Sequence, residues 1–108
     1  MSRLLVQSYR NNDENLIRCS LKLDYRGDYD AVTIETEQPD LDVVSTSDGS
    51  ILDNRVILKQ KKSLVQIIFR PKQQVEATKI IVSYLKDNQI VNYENLVSNL
   101  FLEQIKGD

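Results

Sequence analysis

A chain of 108 residues is the size of one domain and leaves no room for two separate cores. Its 41% hydrophobic and 28% charged residues argue against wholesale disorder, and a formal net charge of −2 argues against a general nucleic-acid or membrane-surface binder. With no histidine and a single cysteine, Cys19, the chain lacks the parts for Ser-His-Asp or Cys-His catalysis, a histidine-ligated metal or an internal disulfide.

Arg3–Ser8 opens the chain as a short edge strand, and the polar cluster from Asn11 to Asn15 turns it. Leu16–Tyr25 alternates apolar and polar residues at the period of a pleated strand, with Ile17, Cys19, Leu21, Leu23 and Tyr25 on one face. Arg26-Gly27-Asp28 turns the chain into a strand at Ala31–Glu37, which Pro39 ends. A short strand over Leu41–Ser45 leads to Ser47-Asp48-Gly49-Ser50, the clearest turn signal in the chain. Asp53-Asn54 turns again before a strand at Val56–Leu58, and Lys61-Lys62-Ser63 introduces the alternating strand Leu64–Arg70. Thr78–Leu85, a turn at Lys86–Gln89 and Ile90–Tyr93 complete the regular series. The tail, residues 94–106, reads two ways. Leu96, Val97, Leu100, Phe101 and Ile105 fit helical spacing behind an Asn95 cap, whereas Leu100 and Leu102 continue a two-residue period. The strand is favoured, because Asn92, Asn95 and Asn99 weaken a helix.

The expected core is Ile17, Cys19, Leu21, Leu23, Val32, Ile34, Val43, Leu58, Val65, Ile67, Phe69, Ile80, Val82 and Tyr84. Cys19 belongs to it as a small hydrophobe, because no base or helix N-terminus accompanies it as a nucleophile would require. Three glycines, Gly27, Gly49 and Gly107, cannot build a phosphate-cradling loop. The expectation is therefore a non-enzyme with no cofactor, no metal and no small-molecule substrate. Calcium at Asp24, Asp28 and Asp30, with Asp40, Asp42 or Asp48 approaching from other loops, stays open, although the spacing matches no dedicated calcium loop. Arg26-Gly27-Asp28 spells an adhesion tripeptide and reads here as a turn. The short apolar start Leu4-Leu5-Val6, the lone cysteine and the lack of a long apolar run point to a cytoplasmic, non-membrane location.

Charge is unevenly spread. Residues 24–53 hold nine acids against Arg26 alone, and residues 55–79 hold seven basic residues against Glu76 alone. Either the two segments neutralise each other within one molecule, or they form opposed patches that recruit a partner, including a second copy. The candidate partner-binding residues are Arg55, Lys59, Lys61, Lys62, Arg70 and Lys72 on the basic side and Asp28, Asp30, Asp40 and Asp42 on the acidic side. The alternative is a nucleic-acid accessory using the basic segment 55–79, although its lysines are not interleaved with tyrosines.

From Leu41 to Tyr84 the order is an Asp48-Gly49 turn, the short strand Val56-Ile57-Leu58, Lys62-Ser63, an alternating strand to Arg70-Pro71, then Lys79-Ile80-Ile81-Val82-Ser83-Tyr84. This order resembles immunoglobulin-like sandwich modules appended to adhesion, coat-adaptor and von Willebrand A-containing proteins. The resemblance covers about 44 residues, is one of pattern, and carries no functional residue across. It implies a single all-β, immunoglobulin-like antiparallel β-sandwich of about seven or eight strands, with a possible short C-terminal helix. It also implies a protein-interaction or assembly role, as an adaptor, a scaffold or a viral or mobile-element structural accessory, using an edge strand and the charged patches.

Overall fold

The computed structural model describes residues 2–37, 41–72 and 78–98. Nine strands run through them: β1 (Arg3–Asn11), β2 (Glu14–Lys22), β3 (Ala31–Thr36), β4 (Leu41–Thr46), β5 (Ser50–Leu52), β6 (Arg55–Leu58), β7 (Leu64–Pro71), β8 (Thr78–Lys86) and β9 (Gln89–Ser98). They form two wholly antiparallel sheets, in the orders β1-β2-β7-β4 and β5-β6-β3-β8-β9. No described residue is helical.

Three of the turns are hairpins of one kind. Asn12-Asp13, Asp53-Asn54 and Asp87-Asn88 each place both central residues at positive φ, between 51° and 67°. That is the requirement of a type I′ turn, whose twist matches the flanking strands, and Asn and Asp tolerate it best after glycine. Two-residue loops let the strands run right up to the turn, so β1 extends to Asn11 and β2 starts at Glu14. The Asp48-Gly49 turn behaves differently. Gly49 lies at φ 79°, and a Cβ there would collide with the Ile57 carbonyl, but the strands on either side belong to different sheets. It is a crossover rather than a hairpin.

Register brings the alternating apolar residues together. Cys19 stands opposite Val6 and Ile67, Ile17 opposite Phe69, and Ile34 opposite Val56 and Val82. Both sheets contribute to one buried cluster, in which Tyr84, Phe69, Ile17, Leu21 and Ile67 are among the largest fully buried side chains. Every expected core residue is buried except Val43, which is partly exposed and packs against the cluster from β4. Val6, Leu16, Leu41 and Val56 join the core beyond those expected.

At one end the core closes on aromatic rings. Tyr84 lies 4.5 Å from Tyr25 and 5.1 Å from Tyr29, centroid to centroid, and its hydroxyl donates to Glu94 at 3.5 Å. That leaves the buried Ser2 hydroxyl to donate to Tyr84 at 3.3 Å while accepting the Asp24 N–H at 3.0 Å. Burial raises the Tyr84 phenol above its ordinary value.

The strand count differs from the expectation. Nine strands replace seven or eight, because Ser50–Leu52 pairs with β6 where only a turn was expected. Over residues 94–98 the favoured strand reading of the tail holds, as a continuation of the strand at Ile90–Tyr93 to Ser98, so Asn95 lies inside β9 opposite Ile81 and caps no helix. The ladder on β8 outweighs the weak helical spacing there, because it pairs one flank of the segment and packs Leu96 against the core. Residues 99–106 of the tail lie outside the described residues.

Ile67→Ala, in the middle of β7, is expected to lower unfolding stability by about 2–5 kcal/mol in urea titrations, with the denaturant slope unchanged. Burial also pushes the Cys19 thiol up from its ordinary 9.0 to about 12. Between those pH values the unfolded chain loses a proton that the folded chain keeps, so stability falls as pH rises. The fall reaches about 4 kcal/mol by the upper limit. Cys19→Ala should flatten most of that slope, leaving the smaller decline due to Tyr84, when melts below pH 9.0 are compared with melts approaching 12.

Candidate functional site

The charged residues singled out above are dispersed, and most face a partner. Lys62 Nζ lies 3.5 Å from Asp48, Lys72 Nζ 3.5 Å from Asp42, and Arg70 3.3 Å from Glu14. Lys79 meets Glu37 at 3.4 Å. On the acidic side, Asp28 meets Lys86 at 3.5 Å, and Asp30 accepts the Asp87 N–H at 3.2 Å. Lys61 sits 5.1 Å above the Tyr29 ring. Asp40 lies outside the described residues.

Three of these pairs, those of Lys62, Lys72 and Lys79, join the acidic segment to the basic one within a single molecule. The reason is topological. β4 lies beside β7, so Asp42 stands directly opposite Arg70 and near Lys72. The basic residues are also split: Lys61 and Lys62 precede β7, whereas Arg70 and Lys72 lie at its far end. A strand of eight residues holds those ends roughly 25 Å apart.

Lys59 and Lys62 do share a shallow cavity of about 360 Å³ with Asp48, Ser50 and Ile57. Arg55 stands opposite Leu52 at the start of β6, away from it. No group of three His, Cys, Asp or Glu side chains among the described residues is placed to hold a metal ion.

A second kind of surface emerges from the five-stranded sheet. Its outward side chains line up in rows across the strands. One row runs Tyr93, Ser83 (itself buried), Thr33, Ile57 and Ser50, and another runs Ile90, Leu85 and Ala31. Neither row contains a charge. On β9, Ile90, Tyr93 and Val97 are each 62% exposed. The charges on this face, Lys79, Glu35 and Arg55, lie towards one end of the strands, where Lys79 stands directly opposite Val97.

The same sheet leaves an open backbone edge. Two sheets have four edges, and three carry features that discourage pairing. β5 is three residues long. β1 begins with the exposed Arg3. β4 is bulged between Val43 and Ser45, and the Asn54 side chain occupies its edge like a stub of neighbouring strand. Asn54 Oδ1 accepts the Val43 N–H at 2.7 Å, and Nδ2 donates to the Leu41 carbonyl at 2.9 Å.

β9 has none of these devices over most of its length. It has ten residues, no Lys, Arg or Pro, and one irregularity at Val91. Its one charge, Glu94, faces inward to the Tyr84 hydroxyl. β8 pairs with one side of β9; no described strand is hydrogen-bonded to the other, although β1 of the four-stranded sheet comes within 8 Å of β9.

Charge-based reading passed over Ile90, Tyr93 and Val97, although the signal exists. Leu96-Val97 is an adjacent apolar pair, of which period two sends only one member inward, whereas Ile90 and Val91, at the irregularity, are both exposed. Comparison with protein-family models, curated proteins and solved structures finds no match to this chain.

The ion pairs are surface pairs, each with at least one partner more than 40% exposed. A double-mutant cycle on Lys72 and Asp42 should give a coupling of about 0.2–1 kcal/mol, shrinking as salt is raised. Asn54→Ala should cost more, roughly 1–3 kcal/mol, because it strips two backbone partners from β4 and forces alanine to positive φ. Asn54→Gly, measured in parallel, keeps the turn and isolates the loss of the two hydrogen bonds.

Proposed function

We propose that this chain is a non-enzymatic, cytoplasmic protein-interaction or assembly module, an adaptor, scaffold or structural accessory built on an immunoglobulin-like sandwich. The observation that carries the reading is the juxtaposition, on β9, of an open backbone edge and an uncharged apolar outer face. An open edge offers a ladder of N–H and C=O groups to any extended chain, and the flanking side chains select which chain. Exposed tyrosine and aliphatic groups on a rigid sheet are suitable anchors, because they bury much area for little lost freedom.

Support for the immunoglobulin-like architecture comes from neighbour order. The neighbour orders β1-β2-β7-β4 and β9-β8-β3-β6-β5 are similar to the orders A-B-E-D and G-F-C-C′-C″ of a variable-type domain. The chain departs from that pattern in one respect: it fills the D place with β4 before the C″ and C′ places with β5 and β6. The charged residues enter as orienting groups at the rim, where exposed charge affects on-rate more than affinity. Nucleic-acid binding through residues 55–79 draws less support, since the basic groups are divided between the two ends of β7 and several already meet carboxylates.

A photo-crosslinking side chain at Val97 should give protein adducts in cells, while one at Gln66, exposed on β7 of the other sheet, should give none. Adding Tyr93→Lys should reduce the Val97 adducts roughly tenfold or more, as expected for losing one buried aromatic anchor. Equal labelling at the two positions, or adducts with nucleic acid from a probe at Lys59, would overturn the reading.

A further inference from the structure

We infer that the partner at the open edge of β9 is a second copy of this chain, joined by antiparallel β9–β9 pairing about a two-fold axis at Asn95. The inference rests on the interaction-module reading above and names its partner.

Past the irregularity at Val91, β9 pairs with β8 in unbroken register from Asn92 to Ser98. Asn95 is the centre of that regular stretch. In an antiparallel pair, residues directly opposite each other point to the same side of the sheet, so a two-fold axis between copies must pass through a residue position, not between two. Centring on Asn95 uses the whole regular stretch. It sets Tyr93 opposite the partner's Val97, an aromatic against a β-branched side chain, and symmetry repeats the pair. Glu94 falls opposite the partner's Leu96, and Asn92 opposite the partner's Ser98.

Neighbouring centres do worse. Centring on Glu94 stacks that carboxylate against its own image, and like charges directly opposite are destabilising. Centring on Tyr93 sets Asn95 against the partner's Val91 and Leu96 against the partner's Ile90, which runs the ladder into the bulge.

The edge is therefore complementary to itself. An incoming strand must present uncharged, apolar groups beside Tyr93 and Val97 and a neutral group beside Glu94, and β9 has that alternation. No cation and no outward-facing anion lie on it to repel a copy. Pairing would merge two five-stranded sheets into one of ten strands, with each molecule covering the other's open edge. Such an isologous contact closes on itself and stops at two.

Asn95→Cys provides the test. Residues directly opposite in an antiparallel pair have Cα atoms about 4.5–5.5 Å apart, within disulfide range. Under mild oxidation this variant should form a covalent dimer on the order of tenfold faster than Gln89→Cys, at the other end of the strand, because pairing raises the local thiol concentration. The native Cys19 is buried and does not compete. In sedimentation runs the unmodified chain should shift towards dimer mass as concentration rises, and Tyr93→Lys should stay monomeric with an unchanged circular dichroism spectrum. Equal oxidation rates, or a monomer at every concentration, would sink the dimer. If the Val97 adduct with another protein then persists, only the identity of the partner is wrong; if it too is missing, the interaction reading falls as well.

Discussion

A β-strand carries hydrogen-bonding groups along both flanks, and this fold depends on how those flanks are filled. Interior strands such as β2, β3, β7 and β8 have neighbours on both sides, and they supply most of the fully buried side chains. Burial and pairing reinforce each other there, since an apolar surrounding strengthens each ladder bond and makes an unpaired group costly. The outermost strands face the opposite problem. Three of them limit their exposure by shortness, charge, a bulge or a borrowed amide, and each device costs little.

The Asn54 amide shows how closely these solutions are tied to local geometry. Its backbone takes the left-handed conformation that the β5–β6 hairpin needs, and its side chain reaches across to β4 in the other sheet. One residue thus forms a turn, covers an edge and links the two sheets. The surface ion pairs do something looser. They neutralise an uneven charge distribution without fixing the fold, because most of their atoms remain in water.

Much of the architecture could be read from residue order. Alternation over Ile17–Leu23, Leu64–Phe69 and Ile80–Tyr84 marked the inward faces correctly, because period two is a local property of extended chain. The turns at Asn12-Asp13, Asp53-Asn54 and Asp87-Asn88 were visible for the same reason. β5 was hidden because three residues are too few to display a period. The extension of β9 was legible only as the favoured of two readings, because its apolar residues fit either a helix or a strand. The surface was harder still. Segmental charge suggested patches, but pairing depends on which strands become neighbours, and β4 reaches β7 across the 17 residues between Thr46 and Leu64.

Amino-acid order alone therefore determined that the chain would be extended and pleated, which side chains would turn inward, and where it would reverse. These follow from steric preferences and side-chain chemistry acting over a few residues. Tertiary structure alone decided that Asp42 meets Lys72, that Asn54 covers β4, and that no described strand pairs with the outer flank of β9 beside Tyr93 and Val97. Those outcomes depend on sheet order, which is set by the packing of distant segments into a common core.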